Sequence, residues 1–308
     1  MIAISIVIIN FNTCKLTVDC IKSVKEKTST SLNYEIIVVD NCSQIEDYNA
    51  LKESLKQYPD VKLVRSVINS GFSGGNMFGV QFAKGNYIAF LNSDTLLIDD
   101  CFSEMLNFME NNKEIGVCGP KQLSKDLKWK KSFDHFHGIR KQVFGKWFIE
   151  LFSSKAAKRR TDYEQPIQVD FVQGSFMFFR SEAFAKVGGF DTNIFLYYEE
   201  MDICKRLLKN GYKTFHYPKV SFVHYEGEST SLGYTKKIEK MASYLYVLRK
   251  SFGFFKYLII RYYLMIKFLI KGLFNFKHLK MFLVLVSLGA PLSHSIRKQQ
   301  KISFNEAN

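Results

Sequence analysis

The sequence lacks the features that mark secreted and membrane-spanning proteins. Its 6 cysteines show neither C-x-x-C spacing nor a short disulfide framework, and no secretory hydrophobic segment precedes the first strand-like run at residues 3–10. No uncharged apolar stretch reaches the roughly 18 residues that a membrane-spanning helix needs. From these absences we expect a reduced, cytosolic protein.

Acidic residues are also scarce relative to basic ones. Lys plus Arg number 43 against 29 Asp plus Glu, which gives a formal net charge of +14. Such a charge favours an anionic partner, for which nucleic acid, a nucleotide and an acidic membrane face are the candidates. The sequence contains no nucleic-acid recognition motif, so we expect no nucleic-acid partner.

The basic residues are concentrated in the last quarter of the chain. Residues 251–308 contain nine cations and one acid, Glu306, among apolar and aromatic stretches such as "FGFFKYLIIRYYLMIKFLIKGLF". Long basic side chains can extend from an apolar surface to the headgroups, where aromatic rings also concentrate. We therefore expect residues 236–308 to lie on an anionic bilayer, at the inner face of the cell membrane. The alternative is a basic helical hairpin packed on the main domain.

Short apolar runs alternate with helix-like segments in the first part of the chain. The runs at residues 3–10, 34–40, 61–66, 87–93 and 115–119 read as buried strands. Strand–helix alternation predicts an α/β fold with a mostly parallel sheet flanked by helices. In such sheets ligands bind beyond the carboxyl ends of the strands, where Asn10, Asp40 and Asn92 fall.

Composition divides the chain further. We expect a nucleotide-binding half at about residues 1–120 and a basic, aromatic insertion at about 121–168, either mobile or in contact with a membrane. An ordered pattern resumes at about 169–235, which we expect to carry the acceptor and catalytic part. Residues 1–235 would form one domain and residues 236–308 the tail.

A glycine-rich stretch, "NSGFSGGNMFG" at residues 69–79, precedes a helical run. It matches neither the Walker loop nor the dinucleotide fingerprint, because no Lys follows and the spacing differs. Glycine permits close backbone approach, and a helix start offers free N–H groups to a phosphate. A phosphate cradle and a simple connection both remain open.

Asp94 follows the strand-like run "YIAFLNS" at residues 87–93. A lone Asp in this place is most often a turn former or a helix N-cap. Beside a diphosphate, however, it would hold Mg²⁺ or Mn²⁺, since hard cations prefer oxygen ligands. Such an ion would neutralise a departing diphosphate.

The segment "YEEMDICKRLLKN" at residues 198–210 carries an acid on its apolar face. With about 100° per residue, Glu200 shares a face with Ile203, Cys204, Leu207 and Leu208. The opposite face carries Asp202, Lys205, Arg206 and Lys209. Acids in a first helical turn complement the helix dipole, which suffices for Glu199 and Asp202. An acid on the apolar face would be desolvated and thus suited to proton abstraction, so Glu200 is the candidate base.

The histidines are weaker candidates. His224 lies beside apolar residues in "VSFVHYEG", where a structural role is the commoner one. His135 and His137 have no identifiable partner, and we interpret them as structural.

Together these stretches resemble the family 2 glycosyltransferases of the GT-A fold, in particular the rhamnosyltransferase-like branch of bacterial polysaccharide enzymes. The residues that carry the resemblance are "SIVIINFN", "IIVVDNCS", "NSGFSGGNMFG", "YIAFLNSDT", "VQGSFMFFRSEAFAKVGGFD", "FLYYEEMDICKRLLKNGY" and "VHYEGEST", in family order from Ser5 to Thr230. The resemblance implies transfer of a sugar from a nucleotide-diphosphate donor to an acceptor hydroxyl, with inversion at the anomeric carbon.

The resemblance also implies roles on the donor side. Asp40 would contact the nucleotide base, and the backbone at Phe11 and Asn12 would line the same pocket. The loop of Gly74, Gly75 and Asn76 would lie along the donor. Asn92, Ser93 and Asp94 occupy the place of the metal-binding D-x-D motif, with Asn in place of the first Asp, and His224 occupies a position that can complete the metal shell.

On the acceptor side, Glu200 falls at the second acid of the family's Glu-Asp pair, the usual catalytic base, with Glu where Asp is commoner. Gly174, Asp191 and Glu199 would lie beside the acceptor. The branch suggests dTDP-rhamnose as donor, with a UDP-sugar next, and the tail suggests a lipid-linked saccharide as acceptor. The alternatives are a nucleotide-sugar-binding protein that has lost catalysis and a nucleotidyltransferase on a similar sheet.

Overall fold

The computed structural model describes residues 2–136, 157–225, 233–287 and 291–303. Part of the predicted insertion, including His137, and the end of the "VHYEGEST" stretch lie outside the described residues.

The described residues form strands and helices that alternate through the first 123 positions. The strands are β1 (Ile4–Asn10), β2 (Tyr34–Asp40), β3 (Val61–Arg65), β4 (Tyr87–Asn92), β5 (Thr95–Leu97), β6 (Ile115–Leu123), β7 (Phe133–Asp134), β8 (Ile167–Val169), β9 (Phe171–Val172), β10 (Phe176–Arg180) and β11 (Lys213–His224). The helices are α1 (Cys14–Lys27), α2 (Ile45–Ser54), α3 (Gly71–Val80), α4 (Cys101–Glu110), α5 (Ser181–Lys186), α6 (Glu199–Lys209), α7 (Gly233–Val247), α8 (Phe254–Gly272) and α9 (Phe276–Ser287), with a π-helical turn at Leu248–Phe252 between α7 and α8. All five predicted strands are present.

The main sheet has the strand order β3-β2-β1-β4-β10-β6-β11-β5, with β8 paired to β11. Strands β3, β2, β1 and β4 are parallel, and so are β6 and β11. Strand β10 runs antiparallel to both β4 and β6. The predicted mixed α/β fold with a mainly parallel sheet is therefore confirmed, and the antiparallel strands belong to its second half.

The sheet is buried on both faces. Along β1, Ile4, Ile6 and Ile8 pack into one apolar cluster, while Val7 packs into the other on the opposite face. Successive strand residues point to opposite sides, so a strand covered by helices on both sides reads as a continuous apolar run. This is why β1, β2 and β4 could be recognised from sequence.

The glycine-rich stretch is helix rather than loop. Helix α3 begins at Gly71, so Gly74, Gly75 and Asn76 lie inside it, and the predicted loop along the donor is wrong as a description of the backbone. A Cβ atom on Gly79 would lie 2.5 Å from a Val7 methyl carbon, and one on Gly75 would lie 3.0 Å from Ile9 Cδ1. The small residues thus let α3 pack closely on the sheet.

The C-terminal helices pack on the same core as the sheet. Tyr244, Leu248, Tyr257, Leu264 and Leu285 are buried in the apolar cluster that contains Val7 of β1. The apolar core therefore continues across residue 235, where the boundary between the domain and the tail was predicted. The inward side of these helices thus matches the alternative expectation, a basic helical hairpin packed on the main domain.

Candidate active site

Asp94 and His224 are brought together by a short strand pairing. Strand β5 directly follows Asp94 and runs antiparallel to the end of β11, with Thr95 opposite His224. The Nε2 atom of His224 consequently lies 3.2 Å from Oδ1 of Asp94, whose side chain is 2% exposed. Two residues 130 positions apart in sequence thus form one polar pair at the end of β4.

Two residues not recognised from sequence orient the histidine ring. Nε2 of Gln122 lies 3.2 Å from Nδ1 of His224, and Oε1 of Gln122 accepts a hydrogen bond of 3.2 Å from the Ser175 hydroxyl. The Gln122 amide therefore contacts Nδ1 of the ring and leaves Nε2 facing Asp94. Gln122 lies near the end of β6 and Ser175 directly precedes β10, and the sequence pattern singled out neither residue.

Asp94 and His224 are suited to hold a divalent cation whose remaining coordination positions would be filled by substrate and water. Within the described residues no group of three or more His, Cys, Asp or Glu side chains is arranged to hold a metal ion. Asp94 and His224 would supply one oxygen and one nitrogen, and phosphate oxygens and water would complete the coordination shell. Such a donor set would suit Mg²⁺ or Mn²⁺ bound together with a diphosphate rather than a closed structural site.

Asp40 is buried inside a polar network. It is 0% exposed, it accepts a hydrogen bond of 2.9 Å from the Asn10 side chain, and its Oδ2 lies 3.4 Å from Nε of Arg65. Phe11 and Asn12, which follow β1, are exposed, and Asn12 has a φ of 55°. The predicted base-binding residues therefore lie at one edge of the sheet, with Asp40 beneath the surface and Phe11 on it.

The neighbouring residues at this edge are also buried. Ser93 is 6% exposed and lies 3.1 Å from the Thr13 hydroxyl. Asn76 in α3 is 2% exposed, and its amide nitrogen has no hydrogen-bond partner among the described residues. The structure therefore gives Gly74 and Gly75 a packing role and leaves donor contact by Asn76 as a prediction.

Glu199 and Glu200 begin α6 after two residues in an unusual backbone conformation. Tyr197 and Tyr198 have φ values of 72° and 69°, in the left-handed region that favours glycine. Consecutive non-glycine residues of this kind are costly and persist where the surrounding structure holds them. Glu199 is more buried than Glu200, and one carboxylate oxygen of each is buried with no hydrogen-bond partner in the described part of the chain.

Burial changes the acid strength of both carboxyl groups. It raises the pKa of Glu200 to about 7. Burial, together with the nearby charge of Glu200, raises the pKa of Glu199 well above its usual value. Near neutral pH, Glu200 can therefore both accept and release a proton. The helical periodicity of this segment predicted that the Glu200 side chain faces inward. Ile203, Cys204 and Leu207, on the same face, are fully buried.

The C-terminal helices hold the turn that precedes the glutamate pair. The Ser243 hydroxyl of α7 donates a hydrogen bond of 2.8 Å to the Leu196 carbonyl. The rings of Tyr198 and Tyr244 lie 5.1 Å apart, and the ammonium group of Lys240 lies 5.6 Å from the centre of the Tyr197 ring. Helix α7 thus contacts three consecutive residues of the turn.

A buried ion cluster fixes the other side of α6. Nζ of Lys250 lies 2.7 Å from Oδ2 of Asp191 and 3.0 Å from Oδ2 of Asp202, which also accepts from Arg206 at 2.8 Å. Asp202 is 0% exposed, so its interpretation as a solvent-facing acid of the first turn is wrong, because the C-terminal helices cover that face. Asp191 belongs to this cluster, and its place beside the acceptor stays a prediction.

A cavity of about 580 Å³ joins the two halves of the site. Its lining includes residues from the metal side, from the glutamate pair and from the segment before β7: Phe72, Asn92, Gln122, Trp129, Lys130, Lys131, Gln173, Gly174, Ser175, Leu196, Tyr197, Glu199, Glu200 and His224. A Cβ atom on Gly174 would lie 3.4 Å from a Glu199 carboxylate oxygen, so glycine keeps the cavity open there. The structure therefore brings Asn92, His224, Gly174, Glu199 and Glu200 to one space.

Comparison with known proteins agrees with this arrangement. The family model described as glycosyl transferase family 2 matches residues 5–188. The rhamnosyltransferase WbbL of Escherichia coli (strain K12) is 28% identical over 205 residues, which are 63% of this chain and 73% of that protein. The N-acetylglucosaminyl-diphospho-decaprenol L-rhamnosyltransferase of Mycobacterium tuberculosis (strain CDC 1551 / Oshkosh) is 37% identical over 62 residues, 20% of each chain.

Solved structures show the same fold at low sequence identity. GalNAc-T7, crystallised with UDP, GalNAc and Mn²⁺, superposes with a TM-score of 0.61 at 18% identity, over 81% of this chain and 48% of that one. The mannosyltransferase PcManGT from Pyrobaculum calidifontis, in complex with GDP-Man and Mn²⁺, gives 0.57 at 15% identity, over 81% of this chain and 64% of that one. The chain has the GT-A fold and belongs to glycosyl transferase family 2, in its rhamnosyltransferase-like branch.

Proposed function

We propose that this glycosyltransferase moves a sugar from a nucleoside-diphosphate donor to an acceptor hydroxyl with inversion, and that Glu200 is its catalytic base. The observation that carries the proposal is the position of Glu200, which lines one cavity with Asn92 and His224 and has a pKa of about 7. A base of that pKa is matched to proton abstraction near neutral pH. One base and one direct displacement give inversion without a covalent intermediate.

The donor side follows from the residues at the end of β4. Asp94 and His224 would hold Mg²⁺ or Mn²⁺, which when bound would neutralise charge on the departing diphosphate. The nucleotide base would lie at the edge formed by Phe11, Asn12 and Asp40. The rhamnosyltransferase relatives support dTDP-rhamnose as donor, with a UDP-sugar as the second candidate.

Glu199 and Glu200 would have different roles toward the acceptor. Glu200 takes the proton of the attacking hydroxyl as the oxygen approaches the anomeric carbon from the side opposite the diphosphate. Glu199, whose pKa burial and the charge of Glu200 raise well above its usual value, would in its protonated form donate a hydrogen bond to an acceptor oxygen. Gly174 leaves room for the acceptor beside Glu199.

Calorimetric titration with dTDP, UDP and GDP, each with and without Mn²⁺, tests the donor assignment. We expect one nucleotide to bind, and Mn²⁺ to strengthen its binding at least tenfold, because Asp94 and His224 would hold the ion and its charge would offset that of the diphosphate. Asp94→Asn should remove the metal effect while the nucleotide still binds. A folded protein that binds none of the three nucleotides would contradict the proposed function.

The acceptor is proposed to be a lipid-linked saccharide of a bacterial surface polysaccharide, met at the inner face of the cell membrane. The mycobacterial relative is named as an N-acetylglucosaminyl-diphospho-decaprenol L-rhamnosyltransferase, which supports this choice. None of the helices formed by the described residues is both long and apolar enough to cross a bilayer. Contact with a membrane would therefore use a surface of the protein.

Helix α8 offers such a surface because it is apolar on two opposite faces. Tyr257, Ile260 and Leu264 face the core, whereas Phe255, Ile259, Tyr262, Ile266 and Leu273 are 53% to 80% exposed. At about 100° per residue these five lie within roughly 60° of one another, on the side opposite the buried three. Lys256 and Lys267 flank the stripe. An apolar stripe edged by cations suits the headgroup boundary of an anionic bilayer.

Substitutions on the exposed stripe test membrane binding without disturbing the core. We expect Ile266→Gln combined with Leu273→Gln to weaken co-sedimentation with phosphatidylglycerol-containing vesicles by roughly a hundredfold, at about one order of magnitude per buried side chain. Leu127→Gln, at a side chain that is 63% exposed in another part of the surface, is the matched control. Equal binding by both variants would remove the membrane assignment and leave the glycosyltransferase assignment intact.

A further inference from the structure

Residues 291–303 form a strap that runs from the C-terminal helices back to the first half of the sheet. The strap contains two 3₁₀ turns, Pro291–His294 and Ile296–Gln299, followed by residues without regular structure. At its end the Ser303 N–H donates a hydrogen bond of 2.8 Å to the Val67 carbonyl. The strap therefore reaches the loop that precedes α3.

Glu239 of α7 anchors the strap. Its side chain is 0% exposed. Its Oε1 accepts a hydrogen bond of 3.0 Å from the Ser295 hydroxyl, and its Oε2 accepts one of 2.7 Å from the Ile296 N–H. The Ser295 hydroxyl oxygen in turn accepts from the Arg297 N–H at 3.2 Å. Both carboxylate oxygens of Glu239 thus fix the start of the second 3₁₀ turn.

The strap and α7 also hold the segment that leads to the glutamate pair. Nη1 of Arg297 in the strap donates a hydrogen bond of 2.9 Å to Oδ1 of Asn193. Ser243, which donates to the Leu196 carbonyl, lies one helical turn from Glu239 on the same face of α7. The strap and α7 therefore hold this segment at two places, and Glu239 joins the strap to α7.

Glu239 also acts on the glutamate pair through its charge. Burial, the charge of Glu200 and the charge of Glu239 all raise the pKa of Glu199. Burial raises the pKa of Glu239 itself, whereas the hydrogen bonds from Ile296 and Ser295 lower it. Glu239 therefore lies near enough to the pair for its presence to affect the acidity there.

We propose that Glu239 is a positioning residue, which fastens the strap to α7 and thereby holds the turn before Glu199 and Glu200 in the arrangement that transfer requires. The proposal rests on the proposed function in one respect, the role of Glu200 as base. The alternative is an anchor for the strap alone, because most buried carboxylates simply pair with nearby donors. The two differ in what happens at residues 194–202 when Glu239 is replaced.

Hydrogen exchange followed by mass spectrometry distinguishes them without requiring turnover. Glu239→Met removes both acceptors and keeps an unbranched side chain of similar length. We expect the amides of residues 194–202 to exchange about tenfold faster in this variant than in wild type, because the turn opens more often. Ser295→Ala removes one of the two donors and should speed the same amides about threefold, which keeps the test decisive if Glu239→Met does not fold.

Glu35→Met is the matched control. Glu35 likewise accepts from a serine hydroxyl, that of Ser5 at 2.6 Å, and from a backbone N–H, that of Lys84 at 2.7 Å. It lies at the start of β2, at the opposite end of the sheet from the candidate site. Exchange of residues 194–202 should therefore stay within about twofold of wild type in Glu35→Met.

Glu239→Gln separates the position of the turn from the charge of Glu239. Its side-chain oxygen can accept from the Ile296 N–H and its amide can donate to Ser295, so exchange of residues 194–202 should return to within about twofold of wild type. Both Glu239 variants lack the charge, so a difference between them in the titration of the pair reports position alone. We expect the midpoint of Glu200, followed by NMR of ¹³C-labelled carboxyl groups, to lie about half a pH unit lower in Glu239→Met than in Glu239→Gln, because a looser turn admits water. The titratable groups that interact with Glu200 are unchanged in every variant, namely Tyr198, Glu199, Cys204, Asp134 of β7 and Lys240 of α7.

Three results would overturn the proposal. Wild-type exchange at residues 194–202 in Glu239→Met, or in Ser295→Ala if the first variant does not fold, would leave Glu239 as an anchor of the strap alone. Equally fast exchange there in Glu35→Met would show a general loss of stability. Equal midpoints of Glu200 in the two Glu239 variants would show that its position is unaffected. Failure of the proposed function has a different signature, the absence of nucleotide binding by the wild type, on which none of these measurements depends.

Discussion

Replacing Glu200 with glutamine is expected to lower kcat for sugar transfer by about 10²- to 10⁴-fold, the usual contribution of a general base. Glutamine keeps the shape of the side chain but cannot take a proton. Donor binding, measured by calorimetry, should stay within twofold of wild type, because Glu200 lies on the acceptor side of the cavity. A variant with near-normal turnover would reject Glu200 as the base.

The pH dependence gives an independent check of the same residue. Transfer requires ionised Glu200, so kcat of the wild type should rise with pH through about 7 and then level off. Glu199→Gln is an informative comparison. It replaces a carboxyl group whose pKa is also raised by burial but which is not the proposed base, so it should cost far less activity than Glu200→Gln and should keep the rise near pH 7.

The raised pKa of Glu200 also predicts a difference in stability between the wild type and the Glu200→Gln variant. Measuring this difference shows whether the variant is folded. Folding raises the pKa of Glu200 from 4.5 to about 7, so the folded state binds this proton more tightly than the unfolded state. The contribution to stability is complete below about pH 4.5 and is lost as the pH rises through about 7. The Glu200→Gln variant, which has no charge to bury, should therefore be more stable than wild type at pH 8.

Asp202→Ala is expected to lower the free energy of unfolding by about 1–3 kcal/mol, because it removes a buried carboxylate to which three neighbouring side chains donate hydrogen bonds. Asp202 is 0% exposed, and its carboxylate accepts hydrogen bonds from Arg206, Lys250 and, at 2.9 Å, the Ser251 hydroxyl. Urea unfolding followed by circular dichroism measures the loss.

Glu46→Ala supplies the control for that measurement. Glu46 is likewise an acid in the first turn of a helix, but it is exposed, so its removal should change the unfolding free energy by no more than about 0.5 kcal/mol. Lys250→Met should fall between the two, since Arg206 still pairs with Asp202. A loss below about 1 kcal/mol for Asp202→Ala would show that the buried cluster contributes little to stability.

The sequence predicted those features of the fold and site that are determined by residues close to one another in the chain. The strands were visible as apolar runs, since β1, β2 and β4 are covered on both faces and need no alternation. Glu200 was visible because one turn of α6 places it over Cys204 and one further turn over Leu207. In both cases the decisive contacts follow from the geometry of a single element.

What the sequence did not reveal depends on contacts between distant segments. The three-residue strand β5 is too short to carry a pattern, yet its pairing with β11 is what places His224 beside Asp94. The helical wheel of α6 assumed one buried face, whereas the C-terminal helices bury a second and take Asp202 into the core. Gly71 begins α3 with a φ of +72°, against the carbonyl of Phe195, so the start of that helix was set by a partner 124 positions away.

The dependence of the catalytic turn on the C-terminal helices limits how the chain can be recombined. The family model ends at residue 188, but the turn that precedes Glu199 is held by Ser243 and Tyr244, and α6 by Lys250. A chimaera that joins residues 1–235 to the tail of another family member would inherit a base without its support, unless the new tail supplied equivalent groups. We therefore expect the tail and α6 to change together during evolution, because the contacts between them are shared.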